Sequence, residues 1–312
     1  MGALPNSFRG TLTVSIDVED WHQLVIRRLS GSLPECSPHV DAQMNRVLDL
    51  FDEHDVRGTF FVLGLVAREK PELVRRIADR GHEVASHGVL HVPLHTIDRA
   101  TVRRDVADSR KLLSDTIGRD VFGFRAPEFS IMESNRWVLD EIARAGYRYD
   151  SSVYPIRHRR YGIRDFARGP TRLELETGSL WELPLGTLPS RMGNLPVGGG
   201  GYFRLLPGVA LRRAVGSLTR RGEHVMLYFH PYEFTTQRLT VGEDAMPSSP
   251  RARYRAKAWL AMQALGRQRL PARAEGVLRG ARCVRAIDLV NALEAERSAA
   301  ATPTKEHHDA VN

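Results

Sequence analysis

The chain has 312 residues, enough for one large domain or two small ones, with 42% hydrophobic and 26% charged residues. This composition excludes a disordered, collagenous or membrane-embedded protein as a whole, and no apolar run reaches the roughly 18 residues of a membrane-spanning helix. The N-terminal residues lack the charged, apolar and cleavage regions of a signal peptide, so we expect a cytoplasmic protein.

The net charge of +8 is concentrated in one segment near the C-terminus. Residues 251–285 contain ten basic residues and one acidic residue, Glu275. One interpretation is peripheral contact with an anionic membrane, which such a segment suits. The alternative is a solvated, Arg-rich pair of helices that packs through Trp259, Leu260, Leu265 and Leu270. Nucleic acid is not an expected partner, because the segment has no recognised reading motif and little aromatic interleaving.

Strand and helix patterns alternate along the chain. A β-branched strand over 12–17 is followed by helical spacing over 41–54, an apolar strand at 59–64, a helix from Pro71 to Gly81 and a strand at 82–87. A longer helix ends at Gly118, and helices are predicted over 134–145 and near 208–220. Further strands are predicted at 121–127, 147–152, 180–185 and 224–230. The glycine run at 198–203 is predicted to be a loop.

This alternation predicts an α/β protein with a parallel sheet. About seven repeats in one chain favour a barrel over an open doubly wound sheet. No glycine-rich dinucleotide fingerprint follows the first strand, which also disfavours a nucleotide-binding fold.

Ionisable residues follow the predicted strands, where chemistry gathers in parallel α/β folds. They are Asp17, Glu19, Asp20, His87, His91, Arg125, Asp150 and His230. Two histidines four residues apart and a carboxylate have the composition of a divalent metal site, for which Zn²⁺ is the default. A second carboxylate beside such a metal can serve as a general base. Each signal alone has an ordinary structural explanation, such as a helix cap or a packed histidine. Their common position at the ends of different strands favours one site.

At these residues the sequence resembles the polysaccharide deacetylases with a NodB homology domain, carbohydrate esterase family 4. SIDVED, SHGVLH, FRAPEF, YDSS and LYFHP are similar to the five family motifs, in family order from residue 15 to 231. The resemblance implies a distorted (β/α)7 barrel and a metal-dependent hydrolase that removes N-acetyl groups from an amino sugar in an N-acetylated poly- or oligosaccharide.

The resemblance also implies a domain organisation. DVEDWH, GGGGYFR and HPYEF are most similar to the branch associated with exopolysaccharide and exosortase gene clusters, which carries a C-terminal extension. The catalytic domain would then cover residues 1–245 and the basic helical extension residues 246–297. The small, polar residues 298–312 predict a disordered tail, in which His307 and His308 are not expected to bind metal.

The resemblance assigns catalytic roles to four residues. Asp17 matches the catalytic base, held by Arg125, whose guanidinium fork suits a carboxylate. Asp150 matches the acid that tunes the last histidine. His230 matches the general acid that protonates the departing amine.

The resemblance further assigns the metal ligands and the walls of the acetyl pocket. His87 and His91 match two metal ligands, and Val18 stands where the family usually has a third, an aspartate. Some members space the two carboxylates by one residue, which makes Glu19 the matching ligand and Asp20 the fallback. Strand alternation favours Glu19, since it would project to the same side as Asp17. The pocket walls match Phe129, Trp181 and Leu227, with a backbone N–H near Phe129 as an oxyanion donor. Trp21, Tyr202, Phe203 and Tyr232 are candidates for stacking on sugar rings.

Three rival functions follow from the same residues. They are a metal-independent hydrolase of a cyclic imide or ureide, a catalytically inactive glycan-binding protein and a non-haem iron oxygenase. The intact pair of histidines argues against the first. Retention of both Asp17 and His230 argues against the second, and the predicted barrel argues against the third. No oligomeric state is predicted.

Overall fold

The computed structural model describes residues 4–301, which contain ten strands and eleven α-helices. The strands are β1 (Leu12–Val18), β2 (Thr59–Val62), β3 (Glu83–Ser86), β4 (Gly123–Phe124), β5 (Tyr149–Asp150), β6 (Thr171–Leu175), β7 (Gly178–Glu182), β8 (Thr187–Ser190), β9 (Gly193–Pro196) and β10 (Val225–Phe229). The helices are α1 (Trp21–Ser30), α2 (His39–Glu53), α3 (Gly64–Glu69), α4 (Pro71–Asp79), α5 (Arg99–Ile117), α6 (Val138–Arg144), α7 (Gly200–Leu205), α8 (Gly208–Arg220), α9 (Pro250–Ala264), α10 (Leu270–Leu278) and α11 (Ala286–Ala301). Among residues 4–301, no helix combines the length and the apolar character needed to span a bilayer.

Seven parallel strands form a curled sheet in the order β10-β1-β2-β3-β4-β5-β7, and β6 pairs antiparallel with β7 at the end of the sheet. Beyond β7 the chain returns to β10, where Leu185 bridges Met226 and the Gly186 N–H donates to the Met226 carbonyl. The last parallel strand of the series is thereby brought back to the first. The predicted distorted (β/α)7 barrel is confirmed.

Burial on both faces explains why the parallel strands are so apolar. β1 and β2 are buried along their whole length, as expected for strands with a filled barrel on one side and helices on the other. Neighbouring residues of β10 show the two layers: Met226 packs inside the barrel, whereas Leu227 packs between the strands and the helices. Among the strand residues, those that face inward at the carboxyl ends, such as Asp17 and Tyr228, reach the candidate site.

The C-terminal helix α11 is part of the barrel's core. Before α11, the Leu12 N–H donates to the Arg282 carbonyl and the Val284 N–H donates to the Leu12 carbonyl. At the start of α11, the Ile287 N–H donates to Glu83, which also accepts hydrogen bonds from Thr59 and Tyr149. The barrel therefore uses residues on both sides of the predicted domain boundary at 245.

We expect Glu83→Gln to flatten the pH dependence of stability. Burial raises the pKa of Glu83 from 4.5 to about 7, against the hydrogen bonds that it accepts. The folded protein therefore keeps this proton at pH values where the unfolded chain has lost it. The free energy of unfolding should fall by roughly 1 to 3 kcal/mol as pH rises from about 5 to 8. Urea unfolding at several pH values measures this change. An equal fall in the Glu83→Gln variant would assign it to other groups.

Two sequence predictions need correction. Residues 198–203 are not a loop, since α7 begins at Gly200. The glycines allow close approach: a Cβ on Gly199 would lie 2.8 Å from the Tyr228 ring, and one on Gly200 would lie 2.0 Å from Oε2 of Glu233. Residues 298–301, predicted to be disordered, form the end of α11. The rest of that tail, with His307 and His308, lies outside the described residues.

Candidate active site

A cavity of about 550 Å³ opens at the carboxyl ends of strands β1 and β10. The loops that follow β3 and β4 also line it. Six of the predicted site residues line this cavity: Asp17, Glu19, His87, His91, Phe129 and His230. Helices α1, α7 and α9 also contribute to its walls. Carboxylates, imidazoles and aromatic rings from distant parts of the sequence therefore face one volume, as in other parallel barrels.

Three of these side chains could hold a metal ion. The ligand atoms of Glu19, His87 and His91 lie within 4.8 Å of one another. Oε2 of Glu19 is buried, lies 2.8 Å from Nε2 of His91 and receives no well-oriented hydrogen bond from the described residues. Nδ1 of His87 lies 2.9 Å from the Arg125 carbonyl, which orients Nε2 of this ring toward the cluster. The donor set fits a divalent cation with two imidazole ligands and one carboxylate.

The charges within the cluster shift its pKa values. Burial opposes ionisation of Glu19, but the neighbouring histidines outweigh it and lower the pKa of Glu19 to about 2. Burial lowers the pKa of His87 to about 4, which favours the neutral ring that binds metal. Burial also acts against the charged form of His91, but the adjoining Glu19 carboxylate raises the pKa of His91.

The fallback ligand Asp20 has a structural role instead. Asp20 is fully buried and caps helix α1 by accepting a hydrogen bond from the His22 N–H at 3.0 Å. It also accepts hydrogen bonds from the N–H and the hydroxyl of Ser37. Since these donors occupy both of its oxygens, Glu19 is the carboxylate that faces the histidines.

Asp17 lies beside the Glu19, His87 and His91 cluster and is held by Arg125. Nη1 of Arg125 donates to Asp17 at 2.6 Å and to the Ser15 hydroxyl at 2.8 Å. The rest of the guanidinium donates to the carbonyl and the hydroxyl of Ser151, and it lies 3.9 Å above the Phe61 ring. Arg125 has no exposed surface, so its charge is balanced by Asp17 at the cavity wall.

Glu233, which was not predicted, is the carboxylate beside His230. Oε2 of Glu233 accepts a hydrogen bond from the His230 N–H at 2.9 Å and lies 3.2 Å from Nδ1 of that ring. Nε of Arg204 lies 2.9 Å from the other oxygen of Glu233. Burial lowers the pKa of His230, but Glu233, Glu19 and Asp17 outweigh it and raise the value to about 9. The imidazole is therefore held protonated near neutral pH.

Asp150 does not occupy the role that the resemblance implied. It accepts hydrogen bonds from the N–H and the hydroxyl of Ser152, and within residues 4–301 it makes no hydrogen bond or ion pair with His230. Burial raises the pKa of Asp150 and of Glu182, and the neighbouring Asp150 carboxylate raises the pKa of Glu182 further. Asp150 therefore belongs to a buried carboxyl pair outside the cavity wall, and Glu233 replaces it as the partner of His230.

Three predictions about the acetyl pocket also need correction. Leu227 faces the helices, and its neighbour Tyr228 lines the cavity instead. Trp181 is buried inside the barrel, outside the cavity lining. Phe129 does line the cavity, but its N–H donates to the Ala126 carbonyl at 3.1 Å and is engaged within its own turn.

Backbone strain is concentrated at the cavity. His91, Glu128 and Phe129 have φ values of 51°, 54° and 52°, in the left-handed region that residues other than glycine rarely adopt. All three residues line the cavity. Strained backbone of this kind clusters at functional sites, where the surrounding structure holds it.

The predicted C-terminal extension contributes to the cavity through α9. Trp259 and Gln263 both line it, and Gln263 accepts a hydrogen bond from the Tyr232 hydroxyl at 2.9 Å. Of the aromatic residues predicted to stack on sugars, Trp21 and Tyr232 line the cavity. Phe203 is fully buried in the core, and Tyr202 lies outside the lining. Trp259 is an aromatic wall residue that was not predicted for this purpose.

We expect Glu233→Gln to lower kcat more than Asp150→Asn does, the reverse of the order that the motif resemblance implies. Glutamine preserves the size of the side chain but removes the negative charge that orients His230 and favours its protonated form. A loss of about 10- to 100-fold in kcat is expected, with KM changed little. Steady-state kinetics over a range of pH, with Glu233→Asp as the conservative variant, measure it. A larger loss in Asp150→Asn would restore the original assignment.

Two family profiles match the chain. That of the polysaccharide deacetylase family covers residues 37–149, and that of a domain of unknown function, DUF3473, covers residues 151–268. A chitooligosaccharide deacetylase of Sinorhizobium fredii is 33% identical over 178 residues, which cover 56% of this chain and 79% of that protein. The chain belongs to the polysaccharide deacetylase family. The resemblance of the motifs is thereby confirmed. The DUF3473 match extends past residue 245 to residue 268. The matched region therefore includes α9, which was predicted to belong to the C-terminal extension.

Two solved structures share the fold of the deacetylase. A putative polysaccharide deacetylase from Mycobacterium smegmatis has a TM-score of 0.61 at 22% identity, with 95% of this chain and 96% of that chain covered. The PuuE allantoinase has a TM-score of 0.58 at 17% identity, with 93% and 92% covered. Because proteins with different names share this barrel, the fold alone does not select the reaction, and the side chains in the cavity must do so.

Proposed function

We propose that this deacetylase removes N-acetyl groups from an N-acetylated amino sugar in a poly- or oligosaccharide and releases acetate. The observation that carries the proposal is the cavity in which Asp17, held by Arg125, lies beside the Glu19, His87 and His91 cluster. His230 lines the same cavity, with its Nε2 3.7 Å from Oε1 of Glu19. The named activity of the Sinorhizobium fredii relative supports an N-acetylglucosamine-type substrate.

We propose Zn²⁺ as the metal. Glu19, His87 and His91 would hold it, and two imidazoles with one carboxylate are a ligand set that catalytic zinc commonly uses. A zinc ion in this position supplies a Lewis acid for the acetamido carbonyl and makes a bound water more acidic.

The chain's own residues account for the proton transfers. Asp17 is the general base that accepts a proton from the attacking water, and the buried Arg125 fixes the carboxylate in place for this step. As the C–N bond of the acetamide breaks, His230 donates its proton to the departing nitrogen. Glu233 keeps that imidazole oriented and charged beforehand. The products are acetate and a free amino sugar.

The proposal is tested by following both products with chitooligosaccharides as substrate. Acetate and free amine should appear in equal amounts, because one amide bond yields one of each. Acetate without amine, from an O-acetylated glycan only, would indicate an esterase. Glycan binding without either product, unchanged in Asp17→Asn, would favour the inactive glycan-binding protein. Hydrolysis of a cyclic ureide by metal-free protein would favour the metal-independent hydrolase.

We also propose that the protein is cytoplasmic and makes peripheral contact with an anionic membrane through residues 251–285. The ten basic residues of this segment support the contact. The membrane contact depends on the charge pattern and not on the relatives.

A further inference from the structure

A group of exposed apolar side chains lies where α7 meets the end of α9. The group, here called the apolar patch, has exposed fractions from 40% to 65% and consists of Leu205, Leu206, Val209, Met262 and Leu265. Two contacts join its halves: Arg204 donates to the Gln263 carbonyl, and a Cβ on Gly266 would lie 2.3 Å from the Arg204 carbonyl oxygen. The two turns that carry the leucines are therefore packed directly against each other. In the alternative interpretation of the basic segment Leu265 packs between helices, whereas in the structure it is exposed.

Four arginines, from α8 and from the first residues of α10 and just before it, lie near the apolar patch. The set, here called the arginine set, is Arg212, Arg213, Arg269 and Arg273, and within residues 4–301 none of its members forms an ion pair. Arg273 instead donates to the carbonyls of Phe203 and Arg204. Arg212 and Arg273 both lie against Gly208, which separates Leu206 from Val209 in the sequence. Exposed leucines and unpaired cations therefore share one surface.

We propose that the apolar patch and the arginine set form a docking surface for an anionic lipid membrane. Leucine side chains that project between cationic side chains are suited to enter the headgroup region while the guanidinium groups bind lipid phosphates. The surface extends the charged segment 251–285 to α7 and α8, which the charge pattern alone did not include.

Charge argues for lipid over a second copy of the chain. A two-fold interface would place the arginine set of one copy against that of the other, and such like-charge contacts are unfavourable. An anionic surface complements the same side chains. Self-association is therefore the alternative that the test must detect.

The docking surface borders the candidate active site. Arg204 and Gln263 line the cavity, and each is the direct neighbour of a member of the apolar patch. Docking would thus hold the rim of the cavity at the membrane. This consequence rests on the proposed deacetylase activity, since it concerns where the glycan substrate is met. Docking extends the membrane contact proposed for residues 251–285 and does not depend on that activity.

The test is co-sedimentation with vesicles that contain roughly 30% phosphatidylserine in phosphatidylcholine, compared with phosphatidylcholine alone. The wild-type protein should sediment with the anionic vesicles only, and less at about 0.5 M than at about 0.1 M salt. Leu205→Ser combined with Leu265→Ser, and separately Arg212→Gln, Arg213→Gln and Arg269→Gln together, should each weaken binding by at least about fivefold.

Matched variants control for charge and exposure. Met192→Ser with Leu195→Ser removes exposed apolar side chains elsewhere. Arg46→Gln, Arg68→Gln and Arg104→Gln together remove the same charge from other exposed positions. Both controls should bind like the wild type. Equal losses in the controls, binding unaffected by the leucine substitutions, or absence of vesicle binding would overturn the proposal, as would a dimer in solution that the leucine substitutions dissociate. Acetate release from soluble chitooligosaccharides, measured without vesicles, separates failure of docking from failure of the proposed function.

Discussion

Asp17→Asn should lower kcat for acetate release by roughly 10²- to 10⁴-fold, the range expected for loss of a general base. Asparagine has the size of aspartate and still accepts a hydrogen bond from Arg125, but it cannot take a proton from water. The Glu19, His87 and His91 cluster is untouched, so the protein should still bind one equivalent of zinc. Steady-state kinetics together with the measured zinc content check both expectations.

Ser15→Ala is the matched control for this substitution. It removes one of the hydrogen bonds of the same Arg125 nitrogen while leaving the Asp17 carboxylate in place. We expect a clearly smaller loss of kcat than in Asp17→Asn, because the carboxylate that accepts the proton remains and Arg125 keeps its hydrogen bond to it. Activity of Asp17→Asn within tenfold of the wild type would contradict the base assignment.

His230→Ala should show a loss that depends on the leaving group. For an acetamido sugar, whose amine must be protonated as it departs, kcat should fall by roughly 10²- to 10⁴-fold. For 4-nitrophenyl acetate, whose phenolate leaves without a proton, the loss should be much smaller. Comparing the two substrates measures the role of His230 as an acid.

Two companion variants make this result specific. Asp17→Asn should lose activity on both substrates, because water must be activated in each case. His87→Ala should lose zinc as well as both activities. An equal loss of activity on both substrates in His230→Ala would show that His230 does not act as the general acid.

Long, strongly patterned elements were predictable from sequence because their pattern is local. The strand over 12–17, the helix over 41–54 and the helix that ends at Gly118 correspond to β1, α2 and α5. Strands β4 and β5 have only two residues each, where longer strands were predicted. Nothing in the apolar pattern of these residues indicates where the pairing with neighbouring strands stops.

In fully buried strands, the sequence did not predict which side chains point into the barrel and which point toward the helices. In β10 both faces are apolar, so periodicity could not show that Tyr228 and not Leu227 faces the cavity. In contrast, Asp17 and Glu19 could be placed on one side, because polar residues mark the inward face of β1. The sequence shows which face of a strand a side chain lies on only where the two faces differ in polarity.

The partner of His230 has a local signal in the sequence. Glu233 stands three residues after His230, the spacing at which a glutamate closes a capping box on the preceding backbone N–H. The roles of Trp259 and α11 carried no such signal. Trp259 reaches the cavity from α9, and α11 reaches Glu83 across 204 positions of sequence. Only the folded structure shows these contacts.

In the proposed mechanism, zinc held by Glu19, His87 and His91 supports amide hydrolysis in this cavity. The most direct measurement is acetate release from chitooligosaccharides by protein stripped of metal and then titrated with zinc. We expect no release from the stripped protein, recovery that saturates at one zinc per chain, and no recovery in His87→Ala. Release by the metal-free protein at the rate of the zinc-loaded protein would show that the hydrolysis does not depend on this metal site.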